Sequence, residues 1–269
     1  MKEQQLPLEG KTCLITREQR QAQPLKNEIE KLGGIPIVIP LIAFRKSKLT
    51  KGERAILSNL RAYQWFVFTS QNGVEYFFTE LKEQGLAFPQ GAKVAAVGTK
   101  TAKLLQNFGV TATLVPEKFT GEWLASEMLP LMTDKDSVCV IKGNLARDIV
   151  GKSLTEQGIS VSEIIIYETY FPTENKSALL AAMQNKTLDL LIFTSPSTVK
   201  NFIETLIEND LLCLVKSKWI ACIGSVTKQQ AEDYGLIVHI CPEIYTTDQL
   251  MQEIAAFFSE KANYMEESS

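Results

Sequence analysis

The feature that most constrains this chain is a repeat of very long period. The stretch VFTSQNGVEYF at residues 67–77 returns as IFTSPSTVKNF at residues 192–202. Cys13 in CLITR matches Cys139 in CVIKG, Gly98 in AAVGTKTA matches Gly224 in ACIGSVTK, and Pro116 in LVPEKFTGEWL matches Pro242 in ICPEIYTTDQL. The extended runs IPIVIPLIAF and VSEIIIYETY fall at the same spacing, and every offset is 125 or 126 residues. A solenoid repeats every few tens of residues, so a period this long means two copies of one domain.

The repeated pieces specify the architecture. TCLIT, WFVFTS, KVAAVG, ATLVP, SVCVIKG, LDLLIFTS, WIACIG and LIVHICP are short apolar runs closed by turn residues, the pattern of strands buried on both faces. Between them lie segments such as NGVEYFFTELKEQG and SALLAAMQNK, with apolar residues at helical spacing. Alternating strands and helices predict an α/β fold of two similar parallel-sheet lobes, Rossmann-like or flavodoxin-like.

Each repeated turn puts Gly, Ser or Thr where a strand ends and a helix begins. Taken singly, these residues read as helix caps: Ser195 suits an N-cap, Pro196 the first helical position, and Thr246 with Gln249 a capping box. Caps do not explain the clustering. In open α/β sheets such turns gather at the carboxyl ends of the strands, where ligands bind. Helix starts there offer free N–H groups and partial positive charge to anions. Two lobes with facing edges would hold a ligand rich in carboxylates or phosphates. At about 1.5–3 kcal/mol per charge-assisted hydrogen bond, four or five contacts reach micromolar affinity.

Composition removes other classes. The net charge is −3 and no basic run suggests a nucleic-acid surface. No apolar run is long enough to span a bilayer and the first residues lack a signal-peptide pattern, so a cytoplasmic protein without membrane attachment is expected. The five cysteines form no C-x-x-C pair and read as reduced, mostly core thiols; with one histidine, His239, no metal site is expected. The G-x-G-x-x-G, G-x-x-x-x-G-K-[ST] and G-x-S-x-G motifs are absent, which argues against dinucleotide, phosphate-loop and nucleophile-elbow chemistry.

GKTCLITR, FTSQNGVEYF, VAAVGTKTAKLLQNFG, IKGNLARD, IIIYET, IFTSPSTVKNF, ACIGSVTKQQAEDYG and PEIYTTDQL, in that order, resemble the uroporphyrinogen-III synthase family from about residue 10 to 258. The resemblance implies cyclisation of hydroxymethylbilane, a linear tetrapyrrole polycarboxylate, to uroporphyrinogen III. Water is lost, ring D is inverted, and no cofactor takes part. It implies a discontinuous lobe from residues 1–39 and 172–262, a second lobe from 44–168, linkers at 40–43 and 165–171, and a polar, fraying tail at 263–269. The repeat alone would cut the chain near residue 130.

By the same resemblance Tyr167 is the candidate general acid, with ring packing against the linker as its alternative. The candidate substrate-binding residues are Thr69, Ser70, Gly98 and Thr101 in one lobe and Ser195, Ser197, Gly224 and Thr227 in the other. Arg17, Asn144 and Arg147 sit beyond matching strands and could pair with carboxylates, with Lys100, Lys142 and Lys228 as weaker candidates. Val226 stands where relatives carry a second threonine, so no side-chain contact is expected there. A monomer is expected, since no large uncovered apolar face is evident. The rival readings are a non-catalytic polyanion sensor with the same lobes and an α/β transferase, which would need the missing phosphate loop.

Overall fold

Both faces of each sheet are covered, which is why the strands read as unbroken apolar runs. A computed structural model describes residues 6–185 and 188–267, with side chains through residue 261. The chain begins with β1 (Thr12–Ile15), α1 (Gln19–Lys31) and β2 (Ile35–Val38), then runs through β3 (Ala43–Lys46), α2 (Lys51–Ser58), β4 (Trp65–Phe68) and α3 (Gln71–Glu83). Next come β5 (Lys93–Ala96), α4 (Thr99–Gln106), α5 (Gly121–Met128), β6 (Ser137–Gly143), α6 (Ile149–Glu156) and β7 (Ser160–Tyr170). It ends with α7 (Lys176–Gln184), β8 (Leu190–Phe193), α8 (Pro196–Ile207), β9 (Trp219–Cys222), α9 (Ser225–Asp233) and α10 (Thr247–Glu267).

Two compact units result: residues 1–43 with 170–269, and residues 44–169. The first holds a four-stranded sheet in the order β2-β1-β8-β9, with all three neighbouring pairs parallel, so one sheet is assembled from both ends of the chain. The other sheet has the order β3-β7-β6-β4-β5, with β7-β6, β6-β4 and β4-β5 parallel. IPLIAFR and IIIYETY thus contribute to neighbouring strands, and the segment from 165 to 170 is the second half of β7.

Side chains alternate between two cores per sheet, as strand geometry requires. In the first unit Leu14, Leu191, Phe193 and Ile220 enter one cluster, while Cys13, Ile15, Leu190 and Ile192 enter the other. In the second unit Phe66, Phe68, Cys139 and Ile141 face one side and Trp65, Val67, Val138 and Val140 the other. Burial pushes the thiols of Cys13, Cys139 and Cys222 up to about 12, so these are inert packing groups.

Two strand expectations need adjusting. ATLVP and LIVHICP do not form full strands; each makes a single parallel bridge, Leu114 to Ala95 and Ile240 to Ala221. Pro116 and Pro242 stand two residues further on and lack the N–H that a longer ladder needs. α10 runs as far as Glu267, and 268–269 lie outside the described residues. No described helix is long and apolar enough to cross a membrane.

Candidate functional site

The parallel strands bring the expected residues to the carboxyl edge of each sheet, one set per unit. Their helix starts are of two kinds. Ser70 and Ser195, at equivalent places, spend their hydroxyls on capping: Ser70 Oγ accepts from Gly73 N–H at 3.0 Å and Ser195 Oγ from Thr198 N–H at 3.3 Å. Thr120 and Thr246 cap α5 and α10 similarly, at 3.3 Å and 3.2 Å. For these the simple capping reading holds.

Gly98 and Gly224 are different. Both are N-caps in extended backbone with no side-chain bond to the helix, so the first-turn amides of α4 and α9 have no capping side chain. In the third helical position of each stands a threonine, Thr101 at 6% and Thr227 at 4% exposure. Neither hydroxyl has a hydrogen-bond partner among the described residues. Buried Thr16, Thr198 and Thr205, by contrast, each donate to a carbonyl. Neither the Thr101 nor the Thr227 oxygen is sealed from solvent, so water or a ligand atom can reach both hydroxyls beside the uncapped amides. An open cavity of about 430 Å³ runs along α9 from Ser225 and Val226 through Gln229 and Gln230 to Asp233, beside Pro196 at the start of α8; neither Gly224 nor Thr227 lines it.

Tyr167 lies in the second unit with Ser70. Its hydroxyl is 3.1 Å from Ser70 Oγ, and it is 8% exposed. A register shift in the β6-β7 pairing leaves Gly143 opposite Tyr167 after Lys142 paired with Ile165. The skipped residue lets Ile164, Ile166 and Tyr167 join one core, where strict alternation would send Tyr167 to the other face. The ring stacks on Tyr76 (centroids 5.7 Å apart) and meets Phe44 edge-on at 5.9 Å. It lies so close over Gly143 that a Cβ there would collide with the ring at Cζ. Burial raises the phenol above its ordinary value, with the Ser70 bond pulling the other way.

The remaining candidates divide. Thr69 directs its hydroxyl to Ile141 O at 3.4 Å, and Ser197 is exposed in the first turn of α8. The Asn144 amide is occupied by the Thr169 backbone, accepting from its N–H at 2.8 Å and donating to its carbonyl at 3.2 Å, which extends the strand pairing beyond Gly143. Arg147 is exposed. Arg17 is half-buried; Nε donates to Gln21 Oε1 at 3.0 Å, and no carboxylate among the described residues lies within ion-pair distance. Desolvation lowers its pKa, opposed by nearby Glu18. Lys142 is withdrawn from ligand binding because its buried ammonium is held by Asp148 and Glu163. That pairing also leaves the Asp148 carboxylate off the start of α6. Lys228 lies 3.7 Å from Glu232, and Val226 is 70% exposed in the first turn of α9.

Sequence reasoning passed over Phe119 and Tyr245. They occupy equivalent places in the repeat and are each 57% exposed, one beside Gly98 and the other beside Gly224. The signal was present in KFTGEWL and IYTTDQL, but a lone aromatic ordinarily reads as core.

The sheets and their helix starts define a duplicated α/β protein with uncapped first-turn amides at one equivalent sheet edge in each unit. The chain matches the model of the uroporphyrinogen-III synthase HemD family over residues 23–252 and belongs to that family. A uroporphyrinogen-III synthase of Chlorobaculum parvum is 30% identical over 91% of this chain and 98% of its own length. A porphyrin biosynthesis protein HemD of Ruminiclostridium josui is 28% identical over 92% of this chain, which spans 49% of that protein. An uncharacterized Bacillus subtilis protein is 26% identical over 90% of this chain and 94% of its own length. Among solved structures, a mutant uroporphyrinogen III synthase of Thermus thermophilus superposes with TM-score 0.63 at 20% identity, covering 93% of this chain and 99% of that one. The Helicobacter pylori enzyme gives 0.60 at 17% identity, covering 92% and 99%. These likenesses establish the shared fold.

Proposed function

We propose that the protein is a uroporphyrinogen-III synthase, a cofactor-independent lyase that closes hydroxymethylbilane with loss of water and inversion of ring D. Membership of the family and the Chlorobaculum relative support the reaction. The observation that carries the reading is the duplicated pair of glycine-started helices, each with a threonine hydroxyl that has no partner among the described residues and stays open to solvent. Gly98, Thr101, Gly224 and Thr227 bind substrate carboxylates through first-turn amides and hydroxyls, and Arg17 supplies an unpaired cation.

The chemistry asks little of any one side chain. The terminal hydroxyl leaves as water when a proton is supplied, pushed out by the pyrrole nitrogen. Tyr167, held on Ser70, is the proposed proton donor. The resulting cation would close to the uninverted ring unaided. Fixing the carboxylates makes the substituted carbon of the last ring react first; the spiro intermediate then fragments and recloses. Most of the rate and all of the selectivity come from orientation and exclusion of water.

A second reading, a polyanion-binding module without chemistry, is kept open by the uncharacterized Bacillus subtilis relative. Supplying freshly generated hydroxymethylbilane and resolving the product isomers separates the two. The enzyme gives the type III isomer well above the blank; type I alone at the blank rate rules the synthase reading out.

A further inference from the structure

Two exposed aromatic rings remain unaccounted for by packing. Phe119 and Tyr245 belong to none of the four cores, yet each keeps more than half its surface in water. Burying such a ring is favourable, so a ring left outside beside a binding edge is one a ligand can cover. Both stand just before a threonine cap, Thr120 or Thr246, which fixes where the segment enters the following helix. Both lean on the glycine that starts the neighbouring helix. A Cβ on Gly98 would lie 3.8 Å from Phe119 Cγ, and one on Gly224 would lie 2.7 Å from Tyr245 Cγ. Tyr245 is also tethered, its hydroxyl donating to Ser225 Oγ at 2.8 Å in the first turn of α9.

Each unit therefore sets an exposed aromatic ring beside uncapped amides and a mostly buried threonine whose hydroxyl, without a partner among the described residues, is open to a ligand. A simple polyanion such as phosphate or citrate would use the amides and ignore the ring. A flat heteroaromatic ring bearing short carboxylate arms would use both. We propose that Phe119 and Tyr245 are stacking platforms, each seating one pyrrole ring of the ligand while its carboxylate arms reach the first turn of α4 or α9. This rests on the proposed tetrapyrrole substrate and adds the residues that recognise its rings. The two platforms are unequal. Tyr245 is held close against Gly224 and tethered to Ser225, whereas Phe119 makes only ordinary contact with Gly98 and has no such tether among the described residues. Ring recognition also accounts for Gly224: any side chain there would push the platform off the helix start.

The test compares Phe119→Ala and Tyr245→Ala with the ring-keeping variants Phe119→Tyr and Tyr245→Phe, after circular dichroism has shown all four folded. Two readouts are used: calorimetric binding of uroporphyrin I and of citrate, and steady-state turnover of hydroxymethylbilane with isomer analysis. Loss of one stacked ring is expected to weaken uroporphyrin binding and raise KM about tenfold, with kcat changed less. Ring-keeping variants should stay within about threefold of the parent, and citrate binding should not respond. Alanine variants that match the parent in uroporphyrin affinity and KM overturn the proposal, as does an equal loss for citrate. If the parent makes no type III isomer but binds uroporphyrin in a ring-dependent way, the synthase reading fails and the platforms stand. If the parent binds no uroporphyrin and the alanine variants leave KM unchanged, the platforms fall, and the synthase reading is decided by the isomer analysis alone.

Discussion

The same strand-to-helix turn is built twice, and the two copies are completed differently. In the unit formed by residues 44–169, Ser70 carries the Tyr167 hydroxyl, and Gly143 leaves room for the ring. In the other unit Ser195 is the matching serine, but the place of Tyr167 is taken by Leu41, fully buried, and that of Gly143 by Arg17. Tyr76, which stacks on Tyr167, corresponds to Asn201, whose side-chain amide donates to Leu41 O at 2.7 Å. The glycine-started helices and their buried threonines are the same in both. The two copies thus share the glycine-started helices and differ at the flanking positions, one carrying a phenol and the other a guanidinium with no carboxylate within ion-pair distance among the described residues.

The largest effect is expected where that divergence is tightest. Gly143→Ala puts a methyl group into the Tyr167 ring, so the ring must leave Ser70 or β6 must shift. A stability loss of about 1–3 kcal/mol in chemical denaturation and a collapse of turnover are expected. Unchanged stability would mean the ring does not sit on that glycine. Tyr167→Phe keeps the stacking and removes only the hydroxyl. It should cost about 1 kcal/mol and lower kcat about a hundredfold; equal kinetics would leave Tyr167 a packing residue.

Next come the two glycine starts. Gly98 is extended, and a Cβ there meets only ordinary contact, so Gly98→Ser should fold with a gain of a few tenths of a kcal/mol. The new hydroxyl would occupy an amide and raise KM roughly tenfold. Gly224→Ser must displace Tyr245 and should lose stability instead. Identical behaviour of the two variants would break the contrast.

The smallest effect involves a pair far from the helix starts. Val94 N–H donates to Thr113 Oγ1 at 3.1 Å, and its counterpart Ile220 N–H donates to His239 Nδ1 at 3.2 Å. Partial burial lowers the histidine pKa, with Lys261 adding to it. The unfolded chain therefore takes up the proton first, so this contribution is complete at high pH and lost as pH falls from 6.5 through the lower folded value. A slight drop in melting temperature over that window is expected, and His239→Thr, which copies the other unit, should flatten it.

What was legible followed from periodicity. Strands buried on both faces show as apolar runs, and the recurrence of Thr69-Ser70 and Thr194-Ser195 exposed the duplication and the position of the helix starts. What was hidden depended on register and partner choice. Nothing in IIIYETY announces that β7 skips one residue opposite Gly143 and so turns Tyr167 into the core of Ile164 and Ile166. Lys142 looked available because its partners, Asp148 and Glu163, meet it only once β6, β7 and α6 are packed. Asn144 was similarly claimed by the Thr169 backbone. Phe119 and Tyr245 could have been paired from the repeat, but their exposure could not be read.

The central claim is that a ligand's carboxylates are taken by the amides opening α4 and α9. Titrating the ¹⁵N-labelled protein with uroporphyrin I while following backbone amide shifts tests it most directly. The largest, saturable shifts should fall at residues 99–101 and 225–227. Shifts concentrated instead around Arg61, Tyr63, Phe88 and Lys93, which line a cavity of about 810 Å³ at the opposite edge of the five-stranded sheet, would contradict it.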